Sequence, residues 1–350
     1  MSVHLLLLAG GKGSRFWPLS RAGRPKQLLP LLSDKSLLRE TYDRVRPLAR
    51  PDRIWLLGSA ALKRASLAEV PELSAARFIG EPVGRNTAAT VALGAALALA
   101  EDPQAVLAVF PSDHTIADLP AFRRAARLAL KTAKEKDALV TLGVPPTRAE
   151  TGYGYIRLSA KARTGSLQQA EAFIEKPGPR KAERFRKDGR HLWNSGMFFF
   201  RASVLKEVFL RTAPDIWEPA ESLAASYPGA SFQRRLRNEF PSIPAKSFDV
   251  AVMEKAAELK VIPVKMAWND VGNWEALGDL LEDRGGNRAK GRLVSLDSKN
   301  NIVMDPDGLT ALVGVENLVV VRVGERLLVC HRDRAQSVRD LVELLSEEDL

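Results

Sequence analysis

The first half of the chain alternates short, almost entirely apolar runs with segments of helical periodicity, and this alternation limits the fold more than any other feature. The apolar runs are residues 3–8, 54–57, 106–110 and 138–144. Such runs are typical of parallel strands that are buried on both faces. Residues 122–133 have one apolar and one basic helical face, and the alanine-rich residues 88–100 predict a buried helix that Asn86 or Thr87 caps. Strands that alternate with helices predict an α/β sheet with right-handed crossovers.

The pattern changes in the second half of the chain. Further strand-like runs, separated by longer loops, are residues 155–158, 172–174, 196–201 and 260–266. After the glycine-rich residues 284–287, the chain becomes a series of short Val- and Leu-rich runs with closely spaced turns, which is typical of an all-β segment. Residues 340–345 predict a final short helix. At roughly 150 residues per domain, the length suggests about two domains, which we place at residues 1–285 and 286–350.

Composition narrows the class of protein. The formal charge of +10 raises nucleic acid as a partner, but the basic residues are scattered and form no tail, zinc finger or RNP-like box. We therefore expect no nucleic acid, whereas a basic surface also steers polyphosphate substrates toward a cleft. The longest apolar stretch, residues 88–100, is shorter than the ~20 residues of a membrane span, so we expect neither a membrane segment nor a targeting segment.

The single cysteine, Cys330, excludes a disulfide framework and a multi-cysteine zinc site. It fits a reducing cytosol, so we expect a cytoplasmic protein. Because Cys330 lies in the strand-like residues 327–330, we expect a small buried hydrophobe there and not a nucleophile.

A glycine-rich segment follows the first apolar run, and residues 8–19 read L-A-G-G-K-G-S-R-F-W-P-L. Glycine lets backbone N–H groups approach an anion closely and permits positive φ. Arg15 and Lys26 add positive charge. By pattern alone, a phosphate-binding loop and a plain tight turn both remain open. The run lacks the Gly-Lys-Ser/Thr of a P-loop, and Phe16 stands where a dinucleotide fingerprint needs its third glycine.

Two aspartates come directly after strand-like runs: Asp113 within F-P-S-D-H and Asp270 within W-N-D-V-G-N-W. A carboxylate at the C-terminal end of a parallel strand points into the usual ligand crevice. Because the chain has one cysteine and four histidines, the two carboxylates suit an oxygen-only Mg²⁺ site better than zinc. For Asp113 a helix cap remains the alternative, and His114 is expected to pack beside the site without binding the metal.

Several other polar groups interrupt otherwise ordered sequence. Glu81 precedes G-R-N-T at residues 84–87, Glu175 and Lys176 end a strand-like run, and Asn194 lies within W-N-S-G. Each alone reads as a turn or a cap. Together they supply the acceptors, amides and cations that hold a base, a sugar and phosphates.

Taken in order, these segments resemble the bacterial mannose-1-phosphate guanylyltransferases, also called GDP-mannose pyrophosphorylases. The matching segments are G-G-K-G-S-R-F-W-P-L-S-R, R-P-K-Q-L, E-P-V-G-R-N-T-A, F-P-S-D-H, F-I-E-K-P, W-N-S-G-M-F, D-V-A-V-M-E-K and W-N-D-V-G-N-W. They span nearly the whole chain, since S-K-N-N-I-V and D-R-A-Q-S-V resemble the tail of that family. The family's fold is a Rossmann-like α/β nucleotidyltransferase domain with a mixed sheet, then a short left-handed β-helix and a terminal helix.

The resemblance also implies a role for each matching residue. Arg15 and Lys26 bind the triphosphate, and Asp113 and Asp270 hold Mg²⁺. The residues implied on the nucleotide side are Gly10, Gly11, Gly13, Glu81, Arg85, Asn86, Thr87 and Ser112. Those implied on the mannose 1-phosphate side are Gly154, Glu175, Lys176 and Asn194. The segment F-D-V at residues 248–250 differs from the family pattern, and we assign it no role.

The implied reaction is GTP plus mannose 1-phosphate giving GDP-mannose and pyrophosphate. The second pKa of a phosphate monoester is about 6, so the sugar phosphate is already mostly dianionic at pH 7. Its attack therefore requires no protein base. Two alternatives stay open: the same chemistry on another sugar 1-phosphate or nucleotide, and a non-catalytic regulator that binds GDP-mannose. The apolar faces of the β-rich tail suggest a homodimer. The chain ends before any cupin-like isomerase domain, so we expect no phosphomannose isomerase activity.

Overall fold

The computed structural model describes residues 1–11, 13–21 and 23–349, except for the side chain of Glu347. Lys12, which belongs to the predicted phosphate-binding segment, lies outside the described residues, as do Ala22 and Leu350. The chain forms two compact units. The first, here the sheet unit, consists of Met1–Gly10, Thr41–Ser112 and Ile116–Trp268. The second, here the loop–tail unit, consists of Gly11–Glu40, Asp113–Thr115 and Asn269–Leu350.

The strands are β1 Val3–Ala9, β2 Ile54–Ser59, β3 Phe78–Glu81, β4 Val106–Pro111, β5 Thr115–Ile116, β6 Leu139–Val144, β7 Tyr155–Leu158, β8 Gln168–Ile174, β9 His191–Arg201, β10 Leu259–Pro263, β11 Trp268–Asn269, β12 Glu282–Asp283, β13 Arg288–Leu296, β14 Ile302–Val313, β15 Leu318–Val323 and β16 Arg326–His331. The α-helices are α1 Leu37–Val45, α2 Lys63–Glu69, α3 Asn86–Glu101, α4 Leu119–Glu135, α5 Pro179–Asp188, α6 Ala202–Thr212, α7 Pro214–Ala224, α8 Phe232–Glu239, α9 Phe248–Ala251, α10 Trp274–Gly278 and α11 Val338–Val342.

The sheet unit is built on a nine-stranded mixed sheet with the order β3-β2-β1-β4-β9-β6-β10-β8-β7. The strands β1 to β4 are parallel, and Leu6 of β1 lies opposite Trp55 of β2 and Val109 of β4. All three side chains are at most 1% exposed, as expected for strands that are covered on both faces. Antiparallel β9 then pairs with β4 and β6, so the sheet is mixed, as the resemblance implied.

The loop–tail unit contains a five-stranded sheet in the order β12-β13-β14-β15-β16. The strands β13, β14 and β15 are parallel and stack as successive coils, with Ile302 opposite both Arg288 and Val319. Two fully buried asparagines join the coils, because Asn301 donates its side-chain amide to Oδ1 of Asn287 at 2.9 Å. This arrangement confirms the predicted all-β tail.

The glycine-rich segment packs within the same unit as the tail. Phe16 lies 5.0 Å from Trp274, measured between ring centroids. Trp17 donates its indole N–H to the carbonyl of Asp349 at 3.0 Å. The shared core of this unit includes Phe16, Trp17, Leu29, Val271, Trp274, Ile302, Val319, Leu328 and Val338. The segment is therefore anchored by apolar contacts with residues from the last third of the chain.

The predicted strands of the first half are confirmed, and four local predictions are wrong. The strand predicted at residues 260–266 ends at Pro263, because the chain turns before Ala267, whose φ is +48°. The last helix is Val338–Val342 and not 340–345, because Val338 is buried whereas Leu344 is 83% exposed. Neither Asn86 nor Thr87 caps α3, whose N-cap is Arg85 without a side-chain bond. Cys330 is only half-buried, since it lies on the edge strand β16.

Candidate active site

Glycines shape the loop after β1. A Cβ on Gly10 or Gly11 would meet no atom within 4 Å, and Gly11 has a φ of +99°. At Gly13, with a φ of +64°, a Cβ would lie 2.7 Å from the backbone nitrogen of Lys26. Its carbonyl accepts a hydrogen bond from Ser20 Oγ at 2.6 Å. The loop thus leaves Gly11 open to an approaching ligand and brings Gly13 close against Lys26.

Lys26 is the centre of the loop–tail unit's polar cluster. Its Nζ donates to Asp113 Oδ2 at 2.8 Å and to the backbone carbonyl of Asp270 at 2.6 Å. The Lys26 side chain is 8% exposed, whereas that of Asp113 is 35% exposed. The structure therefore joins Lys26 to residues that lie 87 and 244 positions away along the chain, and all three were predicted from the sequence. Arg15 is exposed, and in the described part of the chain no carboxylate pairs with it.

The charge of Asp113 is set by its neighbours. Burial raises the pKa of Asp113, but the Lys26 ammonium and His114 outweigh it and hold this pKa below its usual range. His114 Nε2 lies 3.5 Å from Asp113 Oδ1. The cap of α4 is Asp118, which accepts from Ala121 N at 2.9 Å, so the alternative that Asp113 caps this helix is excluded. Asp113 is an ionised carboxylate that keeps partial access to solvent.

Asp270 sits in a constrained turn. Its Oδ1 accepts from Gly272 N at 3.0 Å, and Asn269 Oδ1 accepts from Val271 N at 2.7 Å. Val271 has a φ of +46°, which a β-branched residue adopts only when its surroundings enforce it. Asn273 then caps α10 by accepting from Ala276 N at 2.9 Å. Sequence-local hydrogen bonds thus fix the backbone that carries Asp270.

Among the described residues, no group of three or more His, Cys, Asp or Glu side chains is placed to hold a metal ion. Mg²⁺ does not need such a group, because it is usually bound by one or two carboxylates together with substrate phosphates and water. The carboxylate of Asp113 and the backbone carbonyl of Asp270 both accept from the ammonium of Lys26, so oxygen atoms of these two residues already hold a cation at this place. The donor set therefore fits Mg²⁺ and does not fit zinc.

The sheet unit gathers the residues predicted for the sugar phosphate. Asn194 N donates to the carbonyl of Gly154 at 2.8 Å. A Cβ on Gly154 would lie 2.7 Å from Glu175 Oε2, so only glycine lets that carboxylate lie so close to the backbone. Lys176 has a φ of +46° and its Nζ pairs with Glu175 Oε1 at 2.9 Å. All four predicted residues therefore form one cluster.

This cluster contains one further residue, Asp249, to which the sequence analysis assigned no role. Asn194 Nδ2 donates to Asp249 Oδ1 at 2.9 Å. Burial, followed by the negative charge of Glu175, raises the pKa of Asp249 to about 7, although Lys176 and the bond from Asn194 oppose this rise. The motif D-V-A-V-M-E-K, which was recognised in the sequence, begins with this residue and was the only signal for it.

Three residues of the sheet unit that were predicted on the nucleotide side, Glu81, Arg85 and Ser112, lie in different environments. Burial raises the pKa of Glu81, and the Thr90 hydroxyl that donates to its Oε1 opposes the rise. Arg85 donates to the carbonyl of Pro241. Ser112 is fully buried, and its Oγ has no hydrogen-bond partner in the described part of the chain. Such a buried, unpaired hydroxyl is unusual and calls for an explanation.

The start of α3 holds the segment that carries Asp249. Thr87 Oγ1 accepts from Phe248 N at 2.8 Å, and Ala88 N donates to the carbonyl of Lys246 at 3.1 Å. Asn86 has a φ of +62°, and its Oδ1 accepts from Thr87 N at 3.0 Å. Thr87 therefore has a structural contact that the sequence did not reveal.

Comparison with known proteins identifies the class. The family model for nucleotidyl transferases matches residues 4–284, and a model for the MannoseP isomerase/GMP-like β-helix domain matches residues 291–345. The chain therefore belongs to the nucleotidyl transferase family and is an enzyme of that kind. The two matches confirm the predicted fold class, an α/β domain followed by a β-helix-like tail.

Individual relatives narrow the group. The chain is 38% identical to mannose-1-phosphate guanylyltransferase 2 of Escherichia coli O157:H7, over 98% of this chain and 73% of the relative. It is 41% identical to the xanthan biosynthesis protein XanB of Xanthomonas campestris pv. campestris strain B100, over 96% and 72%. A crystal structure from Thermus thermophilus, named as a mannose-1-phosphate geranyltransferase, superposes with a TM-score of 0.88 at 39% identity over 98% and 99% of the two chains. These matches confirm the resemblance. Among the described helices, none is long and apolar enough to cross a membrane.

Proposed function

We propose that the chain transfers GMP from GTP to mannose 1-phosphate, which gives GDP-mannose and pyrophosphate. The observation that carries the proposal is the 38% identity to a mannose-1-phosphate guanylyltransferase over 98% of the chain. The polar cluster supports it, because Lys26, Asp113 and Asp270 lie together beside an open glycine loop.

In this reaction a phosphate oxygen of mannose 1-phosphate attacks the α-phosphorus of GTP in line. The new P–O bond joins the two phosphates, and the bond to the β-phosphate oxygen breaks, so pyrophosphate leaves with its electron pair. The nucleophile is already mostly dianionic at pH 7, so no side chain has to remove a proton. The chain's task is to bring two anions together and to stabilise the charge that develops on the leaving group.

The residues divide this work. Arg15 and Lys26 hold the triphosphate and neutralise the departing pyrophosphate. Arg15 is exposed, and no carboxylate among the described residues pairs with it. The open Cα faces of Gly10 and Gly11 let backbone N–H groups approach the phosphates. Mg²⁺, held by Asp113 and Asp270, would supply charge stabilisation at the α-phosphate when bound.

Other residues select the substrates. On the sugar side, Gly154, Glu175 and Asn194 face the mannose, and Lys176 faces its phosphate. Asp249 belongs to this set as well, because it accepts a hydrogen bond from Asn194 and its carboxylate can accept hydrogen bonds from sugar hydroxyls. The remaining nucleotide-side residues in this proposal are Gly13, Glu81, Arg85, Asn86, Thr87 and Ser112. The unpaired Oγ of Ser112 supports a bond to the nucleotide.

The decisive experiment measures pyrophosphate release by the purified chain over a grid of nucleoside triphosphates and sugar 1-phosphates with Mg²⁺. We expect the highest kcat/KM with GTP and mannose 1-phosphate. Release only with another pair would reassign the substrate within the same chemistry, and no release with any pair, despite GDP-mannose binding, would favour a regulator.

Variants test the site within that assay. Asp113→Asn and Asp270→Asn keep the side-chain volume and remove the charge, and we expect each to lower turnover by about 100-fold or more. Asp333→Asn, which removes a largely exposed carboxylate from the same unit, is the matched control and should retain turnover. Near-normal turnover of either site variant at saturating Mg²⁺ would exclude the assigned role.

A homodimer through the tail is part of the proposal. Neighbouring strands β13 and β14 expose a row of apolar side chains on one face, with Val294 61%, Leu296 60%, Leu309 53% and Val313 67% exposed. Large exposed apolar patches mark interaction sites, and we infer that a second copy of this chain covers this one. Val313→Lys should shift the chain to a monomer in light scattering, whereas Val83→Lys, in the sheet unit, should not. Loss of dimer in both variants, or in neither, would contradict this.

Two further assignments complete the proposal. Residues 1–285 act as the catalytic domain and residues 286–350 as the β-helix domain. The enzyme works in the cytoplasm, because its single cysteine fits a reducing compartment.

A further inference from the structure

A cavity of about 370 Å³ lies in the sheet unit, and none of its lining residues is assigned to the reaction. It is lined by Arg157, Ile174, Lys181, Arg184, Phe185 and His191. Three of these side chains are basic, and none of the described lining residues carries a carboxylate. Ile174 and Phe185 add an apolar wall, so the cavity can enclose more than a bare ion.

The strands β7, β8 and β9 separate this cavity from the sugar cluster. Arg157 lies opposite His191 in the β7–β9 pair, and Ile174 lies opposite Tyr155 in the β7–β8 pair. Side chains at directly paired positions, and at alternate positions along a strand, share one face of a sheet. The cavity therefore opens on the α5 face, whereas Asn194, three positions after His191, points to the other face.

His191 is held in one orientation. Its Nδ1 bonds to Asp188 Oδ2 at 2.6 Å, and its ring stacks on Phe185 with centroids 3.8 Å apart. The side chain is 6% exposed, yet Nε2 is buried and has no hydrogen-bond partner in the described part of the chain. A buried polar atom without a partner is costly unless a ligand completes it.

Burial and the charges around His191 set the protonation state of its ring. Burial lowers the pKa of His191, the Asp188 carboxylate opposes this, and Arg157 and Arg184 lower it further. Arg157 is partly neutralised by Glu171 at 3.2 Å on β8. On α5, Glu183 is engaged by Arg186 and Lys187 and does not line the cavity. Burial, reinforced by the cationic lining, thus favours the neutral ring, and an anion in the cavity would offset the effect of the cations.

We propose that this cavity binds a phosphoryl-type dianion, bare or carried by a small organic group, and that His191 takes up a proton at Nε2 to donate to it. Arg157, Lys181 and Arg184 supply the charge, while Asp188 keeps Nδ1–H of the same ring occupied. Binding and proton uptake are coupled, so a rise in pH above the pKa of the free site weakens binding.

The test follows the imidazole signals of the chain by NMR after labelling its histidines. The chain has four histidines, so His191 can be assigned with the His191→Gln variant. Sulfate is the first probe, because it stays dianionic between pH 6 and 8. We expect sulfate to shift the His191 signal and to raise its midpoint of titration. Between the midpoint of the free chain and the higher midpoint with sulfate, sulfate should bind about tenfold more weakly per pH unit.

Charge-matched variants distinguish the binding of sulfate in the cavity from a general electrostatic attraction of sulfate to a basic helix. Lys181→Glu with Arg184→Glu should abolish the sulfate-induced shift of His191. Arg186→Glu with Lys187→Glu changes the charge of the same helix by the same amount, away from the cavity, and should preserve it. An unchanged His191 signal in the wild type, or an equal effect of the two double variants, would overturn the proposal.

Two further measurements identify the ligand class and separate this proposal from the catalytic one. Inorganic phosphate and glucose 6-phosphate are compared at pH 7, with glucose as the neutral control; tighter binding of glucose 6-phosphate points to an organic phosphate, and equal binding to free phosphate. A shift caused by glucose alone would contradict the assignment.

Pyrophosphate release by the Lys181→Glu/Arg184→Glu variant should stay at the wild-type level, so a failure of the cavity proposal and a failure of the enzyme assignment give different results.

Discussion

Asp249 should make the stability of the chain depend on pH in a way that one substitution removes. The ordinary pKa of an aspartate is 3.8, and burial with the charge of Glu175 raises that of Asp249 to about 7. Between these two values the folded state holds a proton that the unfolded state has released, so the free energy of unfolding falls as pH rises through this window. At about 1.4 kcal/mol per pKa unit, the ionised carboxylate costs the folded state about 4 kcal/mol above neutral pH, an upper limit because Asp249 keeps some contact with solvent.

Asp249→Asn keeps an oxygen that can accept from Asn194 and removes the charge. Its stabilisation relative to the wild type should grow by about 3 kcal/mol between pH 5 and pH 8, measured by guanidinium unfolding with tryptophan fluorescence. Asp215→Asn removes a carboxylate from the same unit, where it pairs with Lys246 near the surface, and should follow the wild-type curve. If wild type and Asp249→Asn lose stability in parallel as pH rises, the buried carboxylate is not the cause.

The same variant tests the role of Asp249 in substrate binding. An ionised carboxylate accepts two hydrogen bonds from sugar hydroxyls, whereas a neutral acid accepts fewer. In the wild type, the KM for mannose 1-phosphate should therefore fall as pH rises through about 7, with little change in the KM for GTP. In Asp249→Asn this dependence should be lost, and a retained dependence would place Asp249 outside the sugar site.

Three glycine substitutions give further tests. Gly13→Ala, at a φ of +64°, pushes a Cβ to 2.7 Å from the backbone of Lys26, so kcat should fall at least tenfold and the thermal midpoint should fall as well; unchanged kcat would contradict the contact. Gly154→Ala displaces Glu175, and the KM for mannose 1-phosphate should rise while that for GTP stays constant; an equal rise in both would argue against a sugar-specific role. Gly291→Ala forces a φ of +113° on alanine and drives its Cβ into the backbone carbonyl of Asp305 on the next coil, which should destabilise the tail by roughly 3 kcal/mol or more. Gly314→Ala, at a φ of +63° in open space, is its control and should cost roughly 1 kcal/mol.

The sequence predicted the parts of the fold that leave a local signal. Residues 3–8 and 106–110 were recognised as strands because a parallel strand covered on both faces must be apolar throughout. Asp113 was predicted at a ligand-facing strand end by the same reasoning, and it lies beside Lys26. The all-β tail was recognised from its closely spaced turns.

The parts of the fold and of the site that the sequence did not predict depend on contacts between residues that lie far apart along the chain. The sequence assigned Thr87 to the nucleotide, but its hydroxyl holds the backbone of Phe248, 161 positions away. No local pattern reveals such a bond. Asp249 was missed for the same reason, since its environment is made by Glu175 and Asn194 from other strands.

The joint core of the glycine loop and the tail has a consequence for the synthesis of the chain. Phe16 and Trp17 leave the ribosome near the start of translation, but Val319, Leu328 and Val338, with which they share a core, come last. Through most of synthesis these two large apolar side chains lack their partners, and exposed surface of this kind favours aggregation and calls for chaperones. A nascent chain that stalls near residue 285 would therefore carry the glycine loop without the tail residues that share its core. Only after the last coil has been synthesised can the chain bury Phe16 and Trp17 in their complete core.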